Sequence, residues 1–188
     1  MKKVLLTAVA LTMCASATMA ADRIGIYSDQ GGGACALTTL VAPPGNNALY
    51  IIHKFNGNGS SASQFKVNDL SGLFAASQTT TFLVLGTWNT DLSVSYGGCV
   101  VGDINIMTLN FLWFGNPLSG CNNTLSVVAA PTSPIPGEVA TVECDFATLT
   151  PATGGTAWVG TGSNTCTGAC DPVPTQENTW GGIKALYR

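Results

Sequence analysis

Charge is the first thing this chain has little of. Charged side chains make up 9% of its 188 residues, against about 25% in a typical soluble domain. Lys and Arg are nowhere clustered, which argues against nucleic acid or anionic lipid as partner, since both require basic groups to neutralise phosphate. Histidine occurs once, as His53. With one histidine and no paired C-x2-C spacing, the closest cysteines being Cys166 and Cys170, zinc has no ligand set. Asp29, Asp91, Asp103 and Asp171 are scattered and form no D-x-D-x-D calcium loop. We therefore expect no metal and no cofactor. A G-x-S-x-G nucleophile elbow is absent. After the leader, no apolar run reaches the roughly 18 residues of a membrane helix, so no membrane span is expected.

What is present begins with an export signal. Lys2 and Lys3 supply the positive region, Val4 to Met13 the apolar region, and Thr18-Met19-Ala20 a small-residue cleavage site, with Ala15-Ser16-Ala17 as a second candidate. Leu11-Thr12-Met13-Cys14 also outlines a lipoprotein signal that would acylate Cys14; Met13 disfavours it, because the preceding residue is normally small. Residues 1–20 are thus assigned to a signal peptide, 21–170 to one domain, 171–177 to a linker stiffened by Pro172 and Pro174, and 178–188 to a tail. The expected location is outside the cell, on its surface or in a periplasm. Six cysteines survive cleavage: Cys35, Cys99, Cys121, Cys144, Cys166 and Cys170. In an exported chain they read as three disulfides.

The domain reads as all-β, a single antiparallel β-sandwich or partly open barrel, because short runs of β-branched and aromatic residues alternate with turns rich in Gly, Pro and Asn. Arg23 to Ser28 predicts a first strand, and a second carries Cys35 and Leu37. The turn cluster 41–47 leads into a hairpin from Ala48 to Val67, ALYIIHKF and ASQFKV around NGNGSS. Leu49, Ile51, His53 and Phe55 share one face of its first strand, and Phe65 and Val67 one face of the second. Lys54 and Lys66 mark the solvent side, so His53 is expected inside. Residues 68–78 show no period and read as loop with a short helical turn at Leu73 and Phe74. TTFLVLGTW, residues 80–88, predicts a buried strand that Leu92 to Tyr96 follows back, and Asp103 to Phe114 a central strand. Leu125 to Ala129 and Glu138 to Val142 predict a second hairpin, which would set Cys121 opposite Cys144 as a disulfide. A short strand is expected at Thr156 to Val159.

In the tail, Trp180, Ile183, Leu186 and Tyr187 fit a helical stripe, and Lys184 and Arg188 suit its C-terminal end, although Gly181-Gly182 costs about 1 kcal/mol per residue relative to Ala. LYIIHKFN, ASQFKV, YGGC, VECD and the ending TWGGIKALYR resemble a group of exported bacterial β-domain proteins with cysteines; the ending is similar to a tail that follows otherwise different secreted domains. The resemblance implies export and surface delivery, with Trp180, Ile183, Lys184, Leu186, Tyr187 and Arg188 as the docking residues of the tail, and it carries no activity.

Three constellations could carry chemistry. His53 is the only side chain with an ordinary pKa near neutrality, and Ser60, Ser61 and Ser63 lie close to it in sequence, but sequence proximity does not arrange a nucleophile. Glu143 and Asp145 flank Cys144, at a spacing that on a strand resembles a glycosidase pair. Trp88, Trp113 and Trp158, with Tyr50 and Tyr96, could form an aromatic platform for sugars. Core packing, alternation and burial account for all three more simply, so no catalytic residue is assigned. The expectation is a non-enzymatic exported structural or interaction module with a protein or glycan partner at the envelope. A carbohydrate-binding module is the alternative, and a secreted hydrolase the third.

Overall fold

The computed structural model describes residues 22–55, 58–118 and 122–160. The leader, Cys121, Cys166, Cys170, the linker and the tail lie outside the described residues. Among the described residues twelve strands appear: β1 (Arg23–Tyr27), β2 (Ala36–Leu37), β3 (Gly45–Lys54), β4 (Ser60–Asp69), β5 (Phe74–Thr79), β6 (Leu83–Thr87), β7 (Asp91–Val100), β8 (Ile104–Trp113), β9 (Thr124–Val128), β10 (Val139–Glu143), β11 (Leu149–Gly154) and β12 (Thr156–Val159). No helix occurs among the described residues.

The strands form two layers. The first runs β5, β8, β3, β1. The second runs β6, β7, β4, whose far edge takes β10 along Ser60 to Gln64 and β9 along Lys66 to Asp69; β12 and β2 continue from β9. β11 joins the layers along one side, antiparallel to β10 and parallel to β1. On the other side β5 and β6 are end strands, with only residues 80–82 between them. The fold is thus an all-β sandwich, mostly antiparallel, with parallel pairs at β1–β11 and β2–β12.

Alternation accounts for the core. Ile24, Ile26, Leu49, Ile51, Leu109 and Phe111 from the first layer meet Phe65, Val67, Leu92, Val94, Leu125 and Val127 from the second. In β8 the register with β3 slips between Met107 and Asn105, so Ile106 is an extra residue and both Ile106 and Met107 are buried. That bulge is one reason DINIMTLNFLWF shows large side chains on both faces. Gly45 opens β3 beside the 41–44 turn because any Cβ there would run into the Val41 carbonyl.

Four sequence expectations give way. β3 and β4 do not form a hairpin; they stand in opposite layers. β9 and β10 do not pair with each other but follow one another along β4. Phe74 opens the exposed strand β5 rather than a helical turn. β6 is also an exposed end strand, not a buried one, although Trp88 just after it is buried. Period-2 alternation reports which face a residue takes, and neighbouring strands are a separate question.

Candidate functional site

His53 sits inside the sandwich, as alternation predicts, with no exposed surface. Its Nδ1 lies 2.8 Å from the Tyr96 hydroxyl, which in turn donates to Ser63 Oγ at 2.7 Å. On its other side, Nε2 lies 3.4 Å from Asp22 Oδ2. Phe55 stacks on the imidazole at 4.0 Å, and Phe82 meets the Tyr96 ring edge-on. Burial pushes the His53 pKa below its ordinary 6.5, while Asp22 and Asp103 partly offset this. Burial also holds the Tyr96 phenol well above its ordinary value, so it stays protonated. The cluster ties the two layers together and leaves no space for a substrate atom at Nε2.

The serines near His53 have other duties. Ser60 and Ser61 donate to the Val142 and Glu143 carbonyls, pinning β4 to β10 where their register shifts. Ser63 Oγ contacts Tyr96, not the histidine. Glu143 ends β10, and Asp145 lies in the turn beyond it, so they do not alternate on one strand. The Asp145 carboxylate accepts from the Ala147 and Thr148 backbone and the Thr148 hydroxyl, which holds its pKa below the ordinary carboxylate range. It shapes the β10–β11 turn. Cys144 bonds to Cys99, not to Cys121, with the Cα atoms 4.8 Å apart. Ser60 faces Val100 on one side and Glu143 on the other, so β7 and β10 converge where β4 begins. Cys35 is also disulfide-bonded. Of the three tryptophans considered as a platform, Trp88 is 8% exposed and packs edge-on against Phe111. Trp113 is half-buried and donates from Nε1 to the Asn116 carbonyl, and half-buried Trp158 lies on β12.

Exposed apolar side chains occur in several places, among them Phe74 and Phe114, whose rings meet edge-on. On the outward face of the second layer, Leu83 and Leu85 of β6 are 72% and 71% exposed. Ala62, Ser93, Ser95 and Ala140 supply a floor of small side chains beside them, and Val142, Leu149 and Pro134 complete a trough of about 240 Å3. Pro134 belongs to the β9–β10 loop, which Asp91 fastens: Gln64 Nε2 donates to Asp91 Oδ1 at 3.0 Å, and Thr132 donates to Oδ2. These bonds hold the Asp91 pKa below the ordinary carboxylate range. A wider depression of about 420 Å3 lies between Val127–Ala129, Gly137–Val139 and Pro151–Gly154, without comparably exposed leucines. Sequence reasoning missed the trough because it placed FLVLGT in the core. Among the described residues no helix is long and apolar enough to cross a membrane.

No family model and no curated protein matches the chain. Solved structures of similar outline include the sixth cohesin of Acetivibrio cellulolyticus scaffoldin B in complex with a dockerin mutant, with 15% identity, 76% of this chain and 99% of that one covered, and TM-score 0.47. The seventh ScaB type I cohesin of Pseudobacteroides cellulosolvens shows 9% identity, 78% and 96% coverage and TM-score 0.43. A type III cohesin from the ScaE scaffoldin of Ruminococcus flavefaciens shows 12% identity, 75% and 88% coverage and TM-score 0.44. Likenesses at this level assign this chain neither a family nor a partner.

Proposed function

We propose that this chain is an exported, non-catalytic interaction module that binds a protein partner at or outside the cell envelope through the outward face of its second layer, with residues 178–188 as a sorting or docking tail. The observation that carries the proposal is the aliphatic trough bounded by Leu83, Leu85 and Leu149. Aliphatic walls over a floor of small side chains fit the apolar side chains of a protein, whereas a sugar site needs an exposed aromatic plane with converging polar groups. The His53 ring, the side chain with an ordinary pKa near neutrality, has no exposed surface.

Binding of the purified mature protein to envelope preparations tests this, with protease-treated envelopes and soluble glycans as the two arms. Protease treatment is expected to abolish binding and glycans to leave it unchanged. Binding that survives protease and yields to a glycan would make this a carbohydrate-binding module. For the tail, an exported reporter carrying residues 172–188 is expected to shift toward the cell surface; the same distribution as a tail-less reporter would refute that role.

A further inference from the structure

We infer that two copies of this chain associate through the free edge of β6, pairing their β6 strands antiparallel about a twofold axis at Val84. β6 pairs with β7 on one side, and no strand among the described residues takes its other side. An end strand presents unpaired N–H and C=O groups, and proteins that stay monomeric blunt such edges with Lys, Pro, bulges or a covering loop. Among the described residues β6 carries neither Lys nor Pro, and its one irregularity is the left-handed Gly86 near its C-terminal end. LVLGT contains neither charge nor proline, its leucines stand out in solvent, and no charged residue occurs from Leu70 to Thr90. Another end strand, β5, differs: its register with β8 shifts between Ala75 and Ser77, and short side chains occupy its middle.

The occupant is a second copy because β6 is self-complementary. Centred on Val84, antiparallel pairing sets Leu83 of each copy beside Leu85 of the other, with Phe82 opposite Gly86. The chain is acidic, with net charge −3 and pI about 4.8. The uncharged 70–90 stretch is a surface where two copies meet without setting carboxylates against one another. The product is a continuous sheet, β4, β7, β6 and the same three strands in reverse. A twofold axis normal to that sheet leaves both troughs facing the same way, so the dimer would be bivalent. This goes beyond the proposed function, because the edge of β6 and the far wall of the trough can be altered separately.

Sedimentation equilibrium of the mature chain tests the inference. Wild type is expected to be dimeric. The double variant Leu83→Lys with Leu85→Lys, and the corresponding double Glu variant, are each expected to weaken self-association about tenfold or more. Mixing the two is expected to restore association, since each lysine then faces a glutamate. Leu149→Lys, across the trough, is expected to leave the dimer intact even where it abolishes envelope binding. A wild-type chain that is monomeric at all concentrations would overturn the inference. So would a dimer that persists in the double Lys variant, or a charge-swapped mixture that stays monomeric. Circular dichroism of each variant shows that it is folded.

Discussion

On the first layer Tyr27, Tyr50 and Ile52 point outward, and the 28–35 loop lies over them: Gly32 sits against Ile52 and Lys54, the Lys54 ammonium donates to the Gly32 carbonyl at 2.9 Å, and it stands over the Tyr27 ring. Tyr27 and Ile52 are buried as a result. On the second layer Leu83, Leu85 and Leu149 also point outward, and they are exposed. The same sandwich therefore treats equal chemistry in opposite ways. A covered apolar face contributes to stability, while a bare one gives up that contribution and remains available for contact.

The largest effect should come from the bond that fastens the bare layer. Cys99→Ser removes the bridge between β7 and β10, and with 45 residues of sequence separation it is expected to cost about 2–4 kcal/mol in urea unfolding. Peptide mapping should recover Cys99 joined to Cys144. Next, Ile52→Ala in the covered face should cost about 2–4 kcal/mol, whereas Leu85→Ala in the bare face should change stability by less than about 0.5 kcal/mol. Equal losses would erase the distinction between the faces.

The pH dependence of stability comes third. The folded pKa of His53 lies below the ordinary value of 6.5, so the unfolded chain takes up a proton that the folded one resists. That contribution is complete above about pH 6.5 and is lost as pH falls from there toward the folded pKa, with a slope of at most about 1.4 kcal/mol per pH unit. His53→Gln should flatten the urea midpoint between about pH 7 and pH 5, because Asp91 and Asp145, with lowered pKa values, lose their contributions only at more acid pH. The smallest stability effect is expected for Leu149→Lys, within about 0.5 kcal/mol of wild type.

Much of the architecture was legible in the sequence, because alternation is a direct physical signal. The strands at Arg23–Tyr27, Ile104–Trp113 and Thr156–Val159 and the inward turn of His53 follow from it. What alternation does not encode is which strand lies alongside. NGNGSS and APTSPIPG look like hairpin loops, yet the strands flanking the first stand in opposite layers, and those flanking the second, β9 and β10, succeed each other along β4. The wrong neighbour for β10 produced the wrong partner for Cys144. β5 escaped notice because a strand exposed on both faces has no reason to alternate. β6 misled for the opposite reason: an aliphatic run exposed on an end strand reads like one destined for burial. Nothing in its composition separates the two, so the trough emerged only once Leu83 and Leu85 had been placed at an end strand.

The most direct measurement takes Leu149→Lys and wild type side by side and records both the urea midpoint and binding to untreated envelope preparations. An interaction face predicts an unchanged midpoint with binding lost. A lowered midpoint would make Leu149 part of the packed structure, and unchanged binding would show that the trough is not where this module meets its partner.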